Sequence, residues 1–186
     1  MSIFVTSDTY FGRNFAIKEL KRKFSSVDEM NDVLISKWNS KVSEDDIVYH
    51  LGNFAWDPIT AVKVVKRLNG KIKLIPGQWD YPAREIQNQL PEHLEIIEDN
   101  LAYLEDKDQS YILSSWPFMK WPGQLNNVAL LHGSIPERRT NNLEKSLAIN
   151  VATDHWKYSP VSLEFITELI KEVNQKLYEQ SEERED

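Results

Sequence analysis

The sequence predicts an α/β sandwich, in which two mixed β-sheets pack together and helices flank them. Two observations predict this fold class. The first half of the chain alternates apolar strand-like runs with amphipathic helical segments, and such β-α-β-α-β order implies parallel strands joined by helical crossovers. The second half is a series of short apolar runs typical of strands, followed by one long amphipathic segment.

The first half supplies three strands and two helices. The strands are the short apolar runs at 3–6, 47–51 and 71–76. The first helix is predicted over 26–39, because Ser26 and Glu29 form a capping box ahead of an apolar stripe. The second helix begins at Asp57, which a proline follows, and ends at Gly70.

The second half supplies five more strands and a last helix. The strands are predicted at 94–97, 101–104, 111–115, 128–132 and 149–151. A polar turn at 106–109 predicts that two of them form a hairpin. The last helix begins at Ser162 and carries one apolar stripe. No linker or repeat interrupts the chain, so we expect one domain over 1–178 and a disordered acidic tail over 179–186.

Composition excludes several classes of protein. The chain has 186 residues, 41% hydrophobic and 27% charged, as in ordinary globular domains. It has no cysteine for a disulfide framework, and its net charge of −7 argues against broad nucleic-acid binding. No apolar run reaches the roughly 18 residues of a membrane span, and the first residues read as a strand and not as a signal peptide. We therefore expect a cytoplasmic protein without membrane contact.

Five short polar segments each follow a predicted strand. They are 7–10 (Ser-Asp-Thr-Tyr), 51–53 (Leu-Gly-Asn), 76–80 (Pro-Gly-Gln-Trp-Asp), 113–117 (Leu-Ser-Ser-Trp-Pro) and 131–136 (Leu-His-Gly-Ser-Ile-Pro). Ligands of α/β proteins gather at the carboxyl ends of strands. These segments are therefore expected to meet in one cleft.

Together with their flanks, these segments resemble the calcineurin-like metallophosphoesterases, in particular the compact single-domain kind found in bacteria and phages. The family pattern is D-x-H, G-D, G-N-H-D, a lone His and then G-H-x-H. Matching flanks include 11–12 (Phe-Gly), 46–52 (Asp-Ile-Val-Tyr-His-Leu-Gly), 68–72 (Leu-Asn-Gly-Lys-Ile) and 154–156 (Asp-His-Trp). The resemblance runs from residue 3 to about residue 170, and it implies a metallophosphoesterase-like fold with a two-metal site at the five segments.

The ligand positions of that family are mostly changed in this chain. Asp8 keeps its carboxylate, but Tyr10 stands in place of a histidine and Asn53 in place of the bridging aspartate. Gln78 replaces the asparagine ligand, and Trp79 replaces the catalytic histidine. The remaining histidine ligands are replaced by Ser115, Ser134 and Pro136, whereas His132 and Asp80 survive at positions that the resemblance makes structural supports.

The changed residues argue against metal catalysis. Zinc, manganese and iron sites need carboxylates and imidazoles, and a bridging anion must hold two cations about 3.5–4 Å apart. Asn53 cannot supply that charge. We therefore expect no catalytic residue, no cofactor and no metal, the ancestral two-metal site being lost. Residual metal-dependent phosphoesterase activity, with Asp8 as the main ligand, is the second alternative.

The favoured hypothesis is a catalytically inactive protein that binds, and thereby inhibits or modulates, another protein. Trp56 and Trp121 are predicted to lie exposed at the cleft mouth as partner contacts. If the chain is phage-encoded, the partner would be a host factor in the host cytoplasm. The former metal cleft is expected to persist, relined by Asp8, Tyr10, Asn53, Gln78, Trp79, Ser115, His132 and Ser134.

The first alternative is a metal-free pseudoenzyme that binds and sequesters a nucleotide. Aromatic faces stack on bases, and guanidinium groups bind phosphates in place of the lost cations. The residues predicted for those contacts are Arg13, Asn14, Trp116, Arg138 and Arg139. A simpler interpretation is that Trp79 and Trp116 fill the space that the metals vacated.

Overall fold

A computed structural model describes residues 1–80, 85–90, 92–133 and 147–182, without the side chains of residues 88 and 176–182. The strands are β1 (Ile3–Thr6), β2 (Ile47–His50), β3 (Lys71–Leu74), β4 (Leu94–Ile96), β5 (Leu101–Asp106), β6 (Gln109–Ser114), β7 (Ala129–His132), β8 (Ala148–Asn150) and β9 (Val161–Ser162). The helices are α1 (Asn14–Lys18), α2 (Val27–Asn39), α3 (Pro58–Val65) and α4 (Leu163–Glu182).

The strands form two mixed sheets. The first has the order β4-β3-β2-β1-β9, in which β1 to β4 run parallel and β9 runs antiparallel to β1. The second has the order β5-β6-β7-β8, with an antiparallel β5–β6 hairpin and parallel pairs beyond it. The predicted sandwich of two mixed sheets with flanking helices is confirmed, as are the parallel first half and the hairpin.

Helices α1 to α3 cover one face of the first sheet. Alternation along each strand sends Phe4 and Val48 into this core, where they meet Met30, Leu34 and Trp38 of α2. The Ser26 hydroxyl caps α2 by accepting a hydrogen bond from the Glu29 amide at 3.1 Å. The sequence did not predict α1, because five residues are too few for a helical apolar period to appear.

A second core lies between the sheets. In it, Val5 of β1 and Leu51, which follows β2, pack with Tyr111, Leu113 and Leu131 of the second sheet. The stripe on α4 packs into this same core through Leu163, Ile166 and Ile170, so α4 seals the core at its edge and does not form a separate outer layer.

The disordered tail predicted over 179–186 overlaps the last helix, because α4 continues to Glu182. Residues 183–186 lie outside the described residues. The glutamate and glutamine residues at this end are good helix formers, and the helix is already nucleated by its packed first half. Within the described part of the chain, no helix combines the length and apolarity that crossing a membrane requires.

A buried histidine links the first core to the ends of the strands. His50, the last residue of β2, is fully buried and stacks on Trp38 at a ring distance of 6.4 Å. Its Nε2 atom lies 2.9 Å from the Thr9 hydroxyl, and its ring meets Phe54 edge-on at 5.1 Å. Burial lowers the pKa of His50 from 6.5 to about 3, because the charged ring would lose its hydration. His50 is therefore neutral in the folded protein.

This burial predicts a loss of stability in mild acid. Between pH 6.5 and the folded pKa, unfolded chains take up a proton at His50 that folded chains do not. As the pH drops below 6.5, this proton uptake at His50 should therefore lower the free energy of unfolding by about 1.4 kcal/mol per pH unit. His50→Gln should remove that contribution from the slope, measured by urea unfolding at several pH values. His93→Gln, at an exposed position, is the matched control and should leave the slope unchanged. An equal slope in wild type and His50→Gln would contradict the assignment.

Candidate functional site

The loops that follow the strands of both sheets meet backbone to backbone. Gly52, which follows β2 with a φ of 86°, is so close to the next loop that an added Cβ would lie 2.8 Å from the Gly77 Cα and 2.9 Å from the Ser115 Cβ. A Cβ on Gly133 would lie 2.5 Å from the Leu51 carbonyl oxygen. Only glycine permits this approach. The predicted convergence of the five segments is therefore observed as far as residue 133.

Asp80 holds two of these loops together. One carboxylate oxygen accepts hydrogen bonds from the Asn53 amide at 2.6 Å and the Gly77 amide at 2.7 Å. The other accepts from the Phe54 amide at 2.6 Å. The side chain is buried, so these bonds form away from competing water. Asp80 therefore acts as the structural support that the resemblance implied.

Asp8 and Asn53 form the centre of the site. The Asn53 side-chain amide donates to one Asp8 carboxylate oxygen at 2.7 Å, and the Ser7 hydroxyl donates to the other at 2.7 Å. Both residues are buried and have left-handed backbones, with φ of 57° at Asp8 and 59° at Asn53. Asparagine and aspartate tolerate this conformation better than other side chains do, so backbone strain and side-chain contact favour the same residue types.

Tyr10 adds a further donor to Asp8. Its side chain is buried, and its backbone is left-handed with a φ of 52°. Burial raises the pKa of the Tyr10 hydroxyl well above its usual value, and the charge of Asp8 and a hydrogen bond to it raise this pKa further. The hydroxyl is therefore neutral at physiological pH and faces Asp8 as a donor.

The residues at the site do not fit a two-metal centre. The Asp8 carboxylate already accepts hydrogen bonds from its neighbours, and the position of the bridging anion is held by Asn53, which presents an N–H donor. Over residues 1–80, 85–90, 92–133 and 147–182, no group of three or more His, Cys, Asp or Glu side chains is arranged to hold a metal ion. The hydrogen bond from Asn53 thus gives the Asp8 carboxylate a donor inside the protein.

An arginine that sequence inspection missed supports the Asp8 turn. The Arg22 guanidinium donates to the carbonyl oxygens of Asp8 and Thr9, at 2.5 and 2.7 Å, and to both carboxylate oxygens of Asp154. Its side chain is fully buried. Arg22 stands in a basic, polar stretch of sequence that resembles a solvated loop, and only the tertiary fold brings it to residues 8–10.

Ser115 and His132 also lie in the buried interior. The His132 Nδ1 atom is 3.1 Å from the Gly133 carbonyl oxygen, and burial lowers the pKa of this imidazole. The Ser115 hydroxyl is buried and has no hydrogen-bond partner among the described residues. Ser134, Pro136, Arg138 and Arg139 fall outside the described residues.

Burial corrects the expectation of an open cleft. Asp8 is inaccessible and Asn53, Ser115 and His132 are at most 4% exposed, so these four side chains do not line an open cleft. Gln78 and Trp79 do not reline the interior either, because both side chains are exposed. The interpretation of Trp79 as filler of vacated space is therefore wrong.

Aromatic side chains surround Arg13 at the rim of the closed site. The guanidinium carbon lies 4.4 Å from the ring centre of Trp79, 4.8 Å from that of Trp56, 4.7 Å from that of Phe15 and 5.5 Å from that of Tyr10. Trp56 and Trp79 are 51% and 41% exposed. We call Arg13, Phe15, Trp56 and Trp79 the aromatic rim. Asn14, the first residue of α1, is exposed beside it.

The other predicted aromatic positions behave differently from each other. Trp116 is 46% exposed and does not fill the interior; with Gln78 and Phe118 it lines a surface depression of about 470 Å³. Trp121 was expected to be exposed at the cleft mouth, but it is buried against Ile112 and Leu130 on the second sheet, and its indole N–H donates to the Val128 carbonyl at 2.7 Å. The surrounding sequence reads as a polar loop, which hid this local core.

Comparison with known proteins identifies a relative in sequence and proteins that are similar in structure. The uncharacterized protein MJ1445 of Methanocaldococcus jannaschii is 33% identical over 182 residues, covering 91% of each chain. The structure of protein AQ665 of unknown function from Aquifex aeolicus superposes with a TM-score of 0.72 at 22% identity, covering 91% of this chain and 99% of that one, and so shares the fold. The structure of an archaeal phosphodiesterase gives a TM-score of 0.45 at 18% identity over 81% of this chain and 82% of that one, too low to bear on activity. No family model matches the chain.

The hydrogen bond at the centre of the site predicts the effect of placing an aspartate at position 53. Asn53→Asp would place two buried carboxylate oxygens at the 2.7 Å separation now bridged by an N–H group. The variant should lose about 3 kcal/mol of unfolding free energy near neutral pH, since a buried charge is left uncompensated. It should recover part of this loss on mild acidification, as one carboxyl takes up a proton. Denaturant unfolding at several pH values measures both effects.

Asn53→Gly is the matched control for charge. It removes the same hydrogen bond and tolerates the left-handed φ, so its loss of stability should be smaller and nearly independent of pH. If Asn53→Asp were as stable as wild type near neutral pH, the contact between Asp8 and Asn53 could not be as described.

Proposed function

Since the chain belongs to the same family as the uncharacterized protein MJ1445 of Methanocaldococcus jannaschii, a family whose name implies no activity, we propose a function from the site itself. The chain acts as a non-catalytic module, derived from a metallophosphoesterase-like scaffold, that binds another protein through its aromatic rim. The observation that carries this proposal is the set of exposed rings fixed around Arg13 beside an interior closed to solvent.

The closed interior supports a role without catalysis. Phosphoester chemistry on this scaffold would need a substrate to reach the position between Asp8 and Asn53, and both side chains are buried and hydrogen-bonded to each other. The position of the catalytic histidine carries Trp79, whose indole cannot exchange a proton with a leaving group. What the scaffold still offers a partner is its surface.

The aromatic rim has the composition of a protein-binding hot spot. Tryptophan and arginine dominate the energetics of many interfaces, because they combine large apolar area with few rotamers or strong polar contacts. Here the Arg13 guanidinium packs against the rings of Trp56 and Trp79, and about half of each tryptophan remains in contact with solvent. Such preorganised rings lose little conformational freedom when a partner binds.

Arg13 also indicates the chemistry of the partner. Its Nη1 atom is buried and has no hydrogen-bond partner among the described residues, and burial lowers the pKa of the guanidinium. Because Arg13 as a whole is only half-buried, a partner carboxylate beside the rim would compensate its charge without entering the interior. The partner segment is therefore expected to present an acidic side chain flanked by apolar ones.

The surface on the other side of Gln78 extends the same face. Trp116, Phe118 and the almost fully exposed Met119 follow β6 there, and the loop that carries Gln78 also carries Trp79. Large exposed apolar groups in this number favour an interaction surface.

Metal-free nucleotide binding is the second candidate, and the depression lined by Gln78, Trp116 and Phe118 favours it. Its volume of about 470 Å³ suits a small ligand, and two aromatic side chains could stack on a base. Its described lining contains no basic side chain for a phosphate, since Arg13 is held within the aromatic rim instead. The protein-binding function therefore has more support.

Site-specific crosslinking tests the proposed function. A photoreactive phenylalanine analogue at position 56 or 79, in a lysate of the source organism, should capture a common protein that the same analogue at Tyr103 does not. Tyr103 is a matched control because it is aromatic, 57% exposed and located on the edge strand of the second sheet. The captured protein is then purified and its binding measured by calorimetry.

Variants decide whether the rim carries the binding energy. Trp56→Ala together with Trp79→Ala should weaken binding by about 30-fold or more, because central tryptophans cost about 2 kcal/mol or more when truncated. Tyr103→Ala should bind like wild type, and a thermal melt should show that all variants remain folded. Equal affinity of the double variant and wild type would contradict the proposal, as would identical crosslinks from all three positions.

A further inference from the structure

A cavity of about 440 Å³ lies apart from the rim, where α4 begins. Its walls come from the segment after β8, from β9 and the first turn of α4, and from Lys41 just after α2. None of the residues of the aromatic rim, and none of those around Asp8 and Asn53, contributes to it. Its volume falls in the range of small-molecule sites, roughly 300–1,000 Å³.

The ionisable side chains that line this cavity are two lysines and a histidine. Lys41 and Lys157 line it together with His155, and no aspartate or glutamate of the described residues does. This composition contrasts with a chain that carries 29 acidic against 22 basic residues. A local basic site on an acidic protein attracts anions selectively, because the rest of the surface repels them.

Two aromatic rings form the apolar wall. Trp156 and Phe165 meet edge-on, with ring centres 6.1 Å apart and an interplanar angle of 84°. The indole N–H of Trp156 donates to the Asn150 carbonyl at 2.9 Å, which fixes the orientation of that ring. Phe165 remains 55% exposed, so the pair offers a flat ligand an open aromatic surface.

The backbone beside the cavity adopts an unfavourable conformation. Lys157 and Tyr158 both have left-handed φ values, 56° and 63°, although neither is glycine or asparagine. Hydrogen bonds from the Tyr158 amide to the Thr153 carbonyl at 2.9 Å and from the Ser159 amide to the Trp156 carbonyl at 3.1 Å hold this turn. Two such residues in succession are uncommon, and backbone strain of this kind concentrates at binding sites.

The amino end of α4 adds a favourable field. Ser162 lines the cavity, and its hydroxyl accepts a hydrogen bond from the Phe165 amide at 3.2 Å as a helix cap. The amino terminus of a 20-residue helix carries partial positive charge and favours an anion nearby. Lysines, helix end and aromatic wall therefore act on the same space.

We propose that this cavity is a binding site for a small organic anion that carries a flat ring, an aromatic sulfonate, carboxylate or phosphate. The ring lies against Trp156 and Phe165, and the acid group is bound by Lys41 and Lys157. This site is separate from the protein-binding surface, so its test does not depend on that function.

Naphthalene-2-sulfonate is a suitable probe because it is anionic, planar and resistant to hydrolysis. Titration into the isotope-labelled protein should shift the indole N–H signal of Trp156, identified by its absence in Trp156→Phe. Sulfate lacks the ring, and 2-naphthol is neutral near pH 7. Each should bind about tenfold more weakly or worse, because sulfate keeps only the contacts to the lysines and 2-naphthol only those to the aromatic wall.

Lysine variants test the assignment of the acid group. Lys41→Gln with Lys157→Gln should weaken binding of naphthalene-2-sulfonate by about tenfold, and the wild-type affinity should fall as salt is added. Lys23→Gln with Lys63→Gln makes the same change in net charge at exposed positions outside the cavity and should bind like wild type. No shift of the Trp156 signal, or equal weakening by both double variants, would overturn the proposal.

Discussion

Close approach of backbone at Gly52, Gly77 and Gly133 is the constraint on which the site depends. Loops from both sheets touch there without side chains between them, and the Asp80 carboxylate binds two of the loops through three amide groups. Because the loops are fixed in this way, every residue that follows a strand end has its position determined by the sandwich. The scaffold therefore brings the loops at the carboxyl ends of its strands together, as in ligand-binding α/β proteins, whatever side chains those loops carry.

The polar side chains on that edge are joined by hydrogen bonds. Asp8 receives donors from Ser7 and Asn53, and Tyr10 contributes a neutral hydroxyl, so the Asp8 carboxylate is satisfied inside the protein. Arg22 stabilises the same left-handed turn from behind through main-chain carbonyls. This network closes the interior and leaves aromatic groups at the rim. The polar centre is thus buried, and the accessible groups are the exposed aromatic side chains of the rim.

The sequence predicted well what depends on local pattern. Apolar periods and the Ser26 and Asp57 caps predicted the strands and the helices α2 and α3, and the glycines predicted where the loops converge. It failed where long-range contacts decide. Nothing local distinguishes buried Arg22 from a solvated arginine, or buried Trp121 from an exposed one, because Asp154 and the second sheet supply their partners. Nor does a motif reveal the aromatic rim, since Arg13 meets Trp56 and Trp79 only through the fold.

We propose that the hydrogen bond between Asn53 and Asp8 has taken the place of a metal centre. The most direct measurement is the metal content of the purified wild-type chain after incubation with excess Mn²⁺ and desalting, with hydrolysis of bis-p-nitrophenyl phosphate measured on the same sample. We expect far less than one metal ion per chain and no turnover above the buffer rate. Near-stoichiometric metal accompanied by turnover would contradict it, because Asp8 would then be a ligand and its hydrogen bonds would have to open.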